Sequence, residues 1–134
     1  MEDTKTVAVA LIQNERGEYL LVKLANYYKE CEEFKNAWCP PAGHVKKNES
    51  VEETLIRELK EELKLDIKPI KLVTEWEQDL PGEKAVWWEC KIIGGELKKD
   101  KEIEDYNFFS KEETKRIELW PATKKFFEKF IWEK

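Results

Sequence analysis

Hydrophobic positions along the chain switch between two periods, and the switches mark the elements. Residues 4–13, Thr-Lys-Thr-Val-Ala-Val-Ala-Leu-Ile-Gln, are rich in β-branched and small apolar side chains and predict a strand buried on both faces. Asn14-Glu15-Arg16-Gly17 is turn chemistry, and Glu18 to Leu24 predicts a second strand that returns as a hairpin partner of the first. Residues 25–37 show no clean period and read as a long loop. Its Tyr27, Tyr28 and Phe34 either pin it to the body or shape a pocket. From Ser50 the period becomes helical. Ser50 and Glu53 form an S-x-x-E capping box, Leu55, Ile56, Leu59 and Leu63 make one sector, and Glu58, Glu61 and Glu62 make another.

Downstream the pattern returns to strands. Ile67 to Glu77 places Ile70, Leu72, Thr74 and Trp76 on one face, and Gln78 to Lys84, with Pro81-Gly82, is a turn. In Ala85 to Ile93, Val86, Trp88, Cys90 and Ile92 point toward a core, while Trp87, Glu89 and Lys91 point the other way. Gly94-Gly95 reads as a break, residues 96–100 as a short strand or loop, and Lys101 to Asp105 as an exposed acidic run. Tyr106 to Phe109 predicts a further strand. Ser110 and Glu113 open a short helix with a second capping box. Pro121 starts the last helix, with Phe126, Phe127, Phe130 and Ile131 as its apolar stripe.

The bulk numbers narrow the class. A chain of 134 residues supports one domain with a single core, and no repeat or inter-domain linker divides it. Its net charge of −5 argues against a nucleic-acid surface that works by phosphate neutralisation, yet allows a nucleotide carried with a cation. The sequence holds no long apolar run and no signal-peptide pattern, so a soluble, cytoplasmic protein without membrane association is expected. Cys31, Cys39 and Cys90 are odd in number and lack C-x-x-C spacing, and they read as reduced thiols. The oligomeric state stays open, a homodimer included.

The helix carries the first candidate chemistry. Glutamates at i, i+3 and i+4 repel one another by some tenths of a kcal/mol per pair, roughly, on an exposed helix. A hard divalent cation with oxygen ligands would offset that, and a solvated acidic face is the bland alternative. The loop before the helix, Cys39-Pro40-Pro41-Ala42-Gly43, is stiffened by its prolines, and Gly43 permits close backbone approach. His44 is the sole histidine and reads as a substrate or phosphate contact or as a structural residue. Trp87 stands among polar neighbours, where it would stack on a base, form an interface or simply lie at the surface.

From Gly43 the run has five residues and then Glu49, seven more and then Arg57-Glu58-Leu59-Lys60-Glu61-Glu62-Leu63-Lys64-Leu65. This resembles the signature of the Nudix hydrolase superfamily, G-x5-E-x7-R-E-U-x-E-E-x-G-U, with U a bulky apolar residue. Lys64 departs from it where the family has glycine, which touches the helix cap and not the carboxylates, and Ala42 stands where a Pro-Gly-Gly run often has its first glycine. The resemblance implies an α/β/α sandwich with a mixed β-sheet, an α+β domain spanning residues 1–134. It implies Mg²⁺, with Mn²⁺ as a substitute, bound by Glu58, Glu61 and Glu62, the Gly43 carbonyl as a further ligand, and Glu102 or Glu104 as an extra ligand or base. It assigns Glu49 and Arg57 as orienters of that catalytic set. Around it, His44, Trp38, Trp87 and Tyr28 are the candidate substrate contacts. The implied reaction is hydrolysis of a nucleoside diphosphate linked to a further group. A MutT-like action on nucleoside or deoxynucleoside triphosphates comes first. ADP-ribose or nucleotide-sugar hydrolysis, to which Pro81 lends a weak spacing signal, comes second. A non-catalytic nucleotide sensor and an isomerase using Cys39 are the remaining readings.

Overall fold

The computed structural model describes residues 6–25, 36–77 and 82–133. A mixed four-stranded sheet runs in the order β3-β1-β5-β4, from β1 (Thr6–Ile12), β3 (Ala42–His44), β4 (Leu65–Glu77) and β5 (Lys84–Gly95). A second, two-stranded sheet pairs β2 (Tyr19–Leu24) with β6 (Ile103–Phe109). Helix α1 (Val51–Leu63) covers one side, and α2 (Lys111–Thr114), α3 (Pro121–Phe126) and a π-helical extension (Phe127–Trp132) complete the chain. This is the mixed-sheet α+β architecture that the resemblance implied.

β1 is apolar from Val7 to Ile12 because it has a core on each face. Ala8, Ala10 and Ile12 pack with Leu55, Leu59 and Leu63 of α1. Val7 and Val9 pack with Trp87, Phe126 and Phe127 on the other side. Within its sheet β1 lies between antiparallel β3, paired along Val7 to Val9, and parallel β5, paired along its whole length.

The predicted β1–β2 hairpin does not form as a ladder. Past the turn the strands meet at one bridge, Gln13 to Tyr19, and then part into different sheets. β2 pairs instead with β6, and its Val22 exchanges backbone hydrogen bonds with Cys39 at 2.7 and 3.0 Å. The segment from Cys39 thus bridges the sheets: it leaves β2, its Pro41 carbonyl accepts from Ala10 N–H at 2.9 Å, and it joins β1 as β3.

Four further expectations change. Ile70 and Leu72 are exposed on β4, because its pairing with β5 slips at Pro69/Lys71 and Leu72/Thr74 and breaks the alternation, while Val73 and Trp76 pack inward. Ile56 is exposed too, so the buried stripe of α1 is Leu55, Leu59 and Leu63. Gly94-Gly95 does not break the chain. Both residues continue β5, and Gly95, at φ 86°, lies so close to the Lys64 carbonyl that a Cβ would collide with it. The strand at Tyr106 begins earlier, at buried Ile103. Among the described residues no helix is long and apolar enough to cross a membrane.

Candidate active site

Helix α1 starts where the capping box places it. Ser50 Oγ accepts from Glu53 N–H at 3.0 Å, and Glu53 Oε1 accepts from Ser50 N–H at 2.9 Å. It ends at Lys64, which adopts the left-handed conformation (φ 61°, ψ 28°) despite its side chain, so the cap geometry survives the loss of glycine. The chain beyond β5 then closes over this helix end. Lys98 N–H donates to the Leu63 carbonyl at 2.9 Å and Asp100 N–H to the Glu62 carbonyl at 3.0 Å. Those two bonds satisfy carbonyls that a helix end leaves open, and they carry Glu102 toward the acidic face.

The three glutamates of the acidic sector do not share one environment. Glu62 is buried, with 8% of its surface exposed, whereas the Glu61 side chain is 56% exposed and the Glu58 side chain 15%. Glu58, Glu62 and Glu102 line a cleft of about 460 Å³ together with Gly43, His44 and Lys46. Gly43 faces Glu58 directly, and a Cβ at residue 43 would overlap the Glu58 carboxyl group. The glycine is therefore required by space, not by its backbone angles.

Burial drives the Glu62 carboxyl far above the usual carboxylate range, and a hydrogen bond and charge from Glu58, then the charges of Glu102 and Asp100, push the same way. Opposite in sign is Glu49. The Arg57 hydrogen bond, aided by Thr54 and the Lys46 N–H, outweighs desolvation and holds it down to about 2. Arg57 binds Glu49 through Nε at 2.7 Å and Nη2 at 3.0 Å. Its Nη1 reaches Glu58 at 2.8 Å and Glu61 at 3.3 Å. Glu53, one turn before Arg57, is occupied by the capping box.

The aromatic contacts expected of the substrate lie elsewhere. Trp87 is 2% exposed and stacks on Phe126 at a centroid distance of 3.7 Å, inside the second core. Its polar sequence neighbours misled because β5 is covered on both faces. Trp38 is half-buried, edge-on to Phe109 at 4.8 Å with Lys23 Nζ over its ring, and does not line the carboxylate cleft. Tyr28, with Tyr27, Phe34, Cys31 and Pro81, falls outside the described residues. His44 does line the cleft, and its Nε2 lies 2.8 Å from Glu83 Oε2. Glu83 and Lys46 were not anticipated. Lys46 had a signal, its position three residues after Gly43; Glu83, 39 residues from His44, had none.

The resemblance implies a divalent metal, and the oxygen donors of the cleft are of the kind one takes. Among the described residues no group of three His, Cys, Asp or Glu side chains is gathered at ligating distance. What the cleft holds is a buried carboxyl hydrogen-bonded to a second one, with a third facing them. Two carboxyl groups bond to each other only by keeping a proton, and a hard cation with oxygen ligands can take that proton's place.

Fold and cleft together define an α+β protein with a carboxylate site suited to a hard cation. A family model described as NUDIX domain matches residues 3–130, and the chain belongs to the Nudix family. The nucleoside triphosphatase NudI of Escherichia coli is 30% identical over 135 residues, covering 90% of this chain and 92% of NudI. The NAD-capped RNA hydrolase NudC of Pectobacterium carotovorum is 30% identical over 70% of this chain. The chain spans only 35% of NudC, and 27% of a nudix hydrolase of Caenorhabditis elegans. Among solved structures, the MutT protein of Methanosarcina mazei superposes with a TM-score of 0.75 at 27% identity, over 96% of this chain and 93% of that one.

Proposed function

We propose that this protein hydrolyses a nucleoside or deoxynucleoside triphosphate to the monophosphate and pyrophosphate, with Mg²⁺ in the cleft. The observation that carries the site is the pairing of buried Glu62 with Glu58 opposite Gly43. The near end-to-end match to a nucleoside triphosphatase supports the substrate class.

Glu58, Glu62 and Glu102 would hold the cation, with the Gly43 carbonyl as a further ligand and Glu61 joining from its exposed position. When bound, Mg²⁺ supplies positive charge opposite the phosphate oxygens as negative charge builds on them. The chain's own residues do the rest. Arg57, fixed by Glu49, holds the Glu58 carboxylate at 2.8 Å and keeps it aimed. Glu62, freed of its shared proton, would serve as a ligand, and one carboxylate of the set would accept the proton of the attacking water. Lys46 and His44 stand on the cleft wall, where a phosphate tail would pass.

The test is a hydrolysis panel with Mg²⁺, covering nucleoside and deoxynucleoside triphosphates, ADP-ribose, nucleotide sugars and dinucleoside polyphosphates, with products resolved by chromatography. Release of monophosphate and pyrophosphate from a triphosphate is expected. Turnover confined to ADP-ribose or nucleotide sugars would overturn the substrate assignment. Nucleotide binding without any turnover would favour the sensor reading.

A further inference from the structure

Thr54 occupies one of the unspecified positions between Glu49 and Arg57 in the motif, yet it is fully buried and polar. Its Oγ1 donates to Glu49 Oε1 at 2.7 Å and lies 2.9 Å from the Ser50 carbonyl. The second contact is the ordinary back-bond of a helical threonine. The first is shorter and goes to a carboxylate, which makes it the stronger claim on the hydroxyl proton.

The Glu49 carboxylate is held on several sides. Oε1 receives Thr54 Oγ1, Arg57 Nη2 at 3.0 Å and Lys46 N–H at 3.1 Å, and Oε2 receives Arg57 Nε at 2.7 Å. Lys46 N–H comes from an exposed loop, whereas Thr54 comes from the rigid, buried side of α1. Beside Arg57 itself, Thr54 is thus the contact that ties the carboxylate to the helix that bears Arg57 and Glu58, and the one that comes from its buried side. We infer that Thr54 is a positioning residue: its hydroxyl sets the plane of the Glu49 carboxylate, that plane sets the Arg57 fork, and the fork fixes the Glu58 carboxylate in the cleft. The inference rests on Glu58 being a cation ligand, as proposed above.

The experiment compares Thr54→Val, which keeps the shape and deletes the hydroxyl, with Thr54→Ser, which keeps the hydroxyl. Thr54→Ala serves as a second deletion should valine perturb packing. Thermal melting verifies folding, Mn²⁺ affinity is measured by titration calorimetry, and kcat and KM are measured separately. We expect Thr54→Val to lower kcat and Mn²⁺ affinity about tenfold each with KM for the nucleotide little changed, and Thr54→Ser to stay within about twofold of wild type. In a Glu49→Gln background the Thr54→Val change should add almost nothing, because the two act in series. Wild-type kcat and Mn²⁺ affinity in both Thr54→Val and Thr54→Ala would overturn the inference, as would a Thr54→Ser variant as impaired as Thr54→Val. Glu58→Gln run alongside separates the two levels. If it leaves Mn²⁺ affinity intact, the metal site itself is wrong; if it abolishes binding while the Thr54 variants do not, this inference alone fails.

Discussion

Gly43 and Glu58 occupy one another's space: the Glu58 carboxyl group fills the volume that a side chain on residue 43 would need. A strand from one part of the sequence and a helix from another are thereby set at a separation that only a missing Cβ allows. Gly43→Ala is expected to displace Glu58, reducing turnover by about 100-fold or more while circular dichroism reports an intact fold. A Gly43→Ala enzyme with wild-type kcat would show that Glu58 is free to move without consequence.

Glu62 gives the metal-free protein a pH dependence of definite sign. Its folded pKa is raised, first by burial and then by Glu58, so between its unfolded and folded values the folded state holds the extra proton. The stability contributed by Glu62 is therefore complete below about pH 4.5 and is lost as pH rises above it. Each pH unit in that window costs up to about 1.4 kcal/mol. In EDTA the melting temperature should decline from pH 5 to 9, Mg²⁺ should remove most of the decline, and Glu62→Gln should flatten it. A metal-free melting temperature that rises over this range would contradict the buried, protonated state.

The Glu49–Arg57 pair acts in the opposite direction. Glu49 is held down to about 2, so the stability it contributes is complete above about pH 4.5 and is lost as pH falls toward 2. Arg57→Lys cannot reproduce the two-pronged contact and is expected to shift acid unfolding to higher pH and to cost roughly 10- to 100-fold in kcat. The acid titration followed by fluorescence, beside steady-state kinetics, checks both.

Lys64 holds a left-handed conformation that suits glycine better. Lys64→Gly should therefore raise stability by about 0.5–1 kcal/mol in urea denaturation, after the lost bond from Lys64 Nζ to the Glu61 carbonyl is offset. The carboxylates are untouched, so kcat should not change.

Trp87 belongs to the core and not to the substrate. Its stacking on Phe126 predicts a loss of about 3–5 kcal/mol for Trp87→Ala. Trp87→Phe should leave the nucleotide KM unchanged, and a KM raised tenfold in a stably folded Trp87→Phe protein would restore the base-stacking role.

How far the sequence could be read depends on whether the deciding contacts are local. The start of α1 and its carboxylate order follow from Ser50, Glu53 and the spacing of Glu58, Glu61 and Glu62, all within one helix. The motif likewise foreshadows the contact between Arg57 and Glu49. Period alone failed where the chain is covered twice or slips. Trp87 looked exposed because one core face was assumed for β5, and Ile70 and Leu72 looked buried because the bulges of β4 leave no trace in composition. The docking of residues 98–100 on the end of α1, which brings Glu102 to the cleft, rests on backbone hydrogen bonds that any sequence can make. The partition of β1 and β2 into separate sheets is equally non-local, since their short turn favours a hairpin on its own.

The central claim is that Glu58 and Glu62 form the heart of a divalent-cation site. Titration of the metal-free protein with Mn²⁺, followed by electron paramagnetic resonance, tests it without needing the substrate. We expect saturable binding by the wild type and a loss of at least tenfold in affinity in both Glu58→Gln and Glu62→Gln. Equal Mn²⁺ affinity in wild type and both variants would contradict the account.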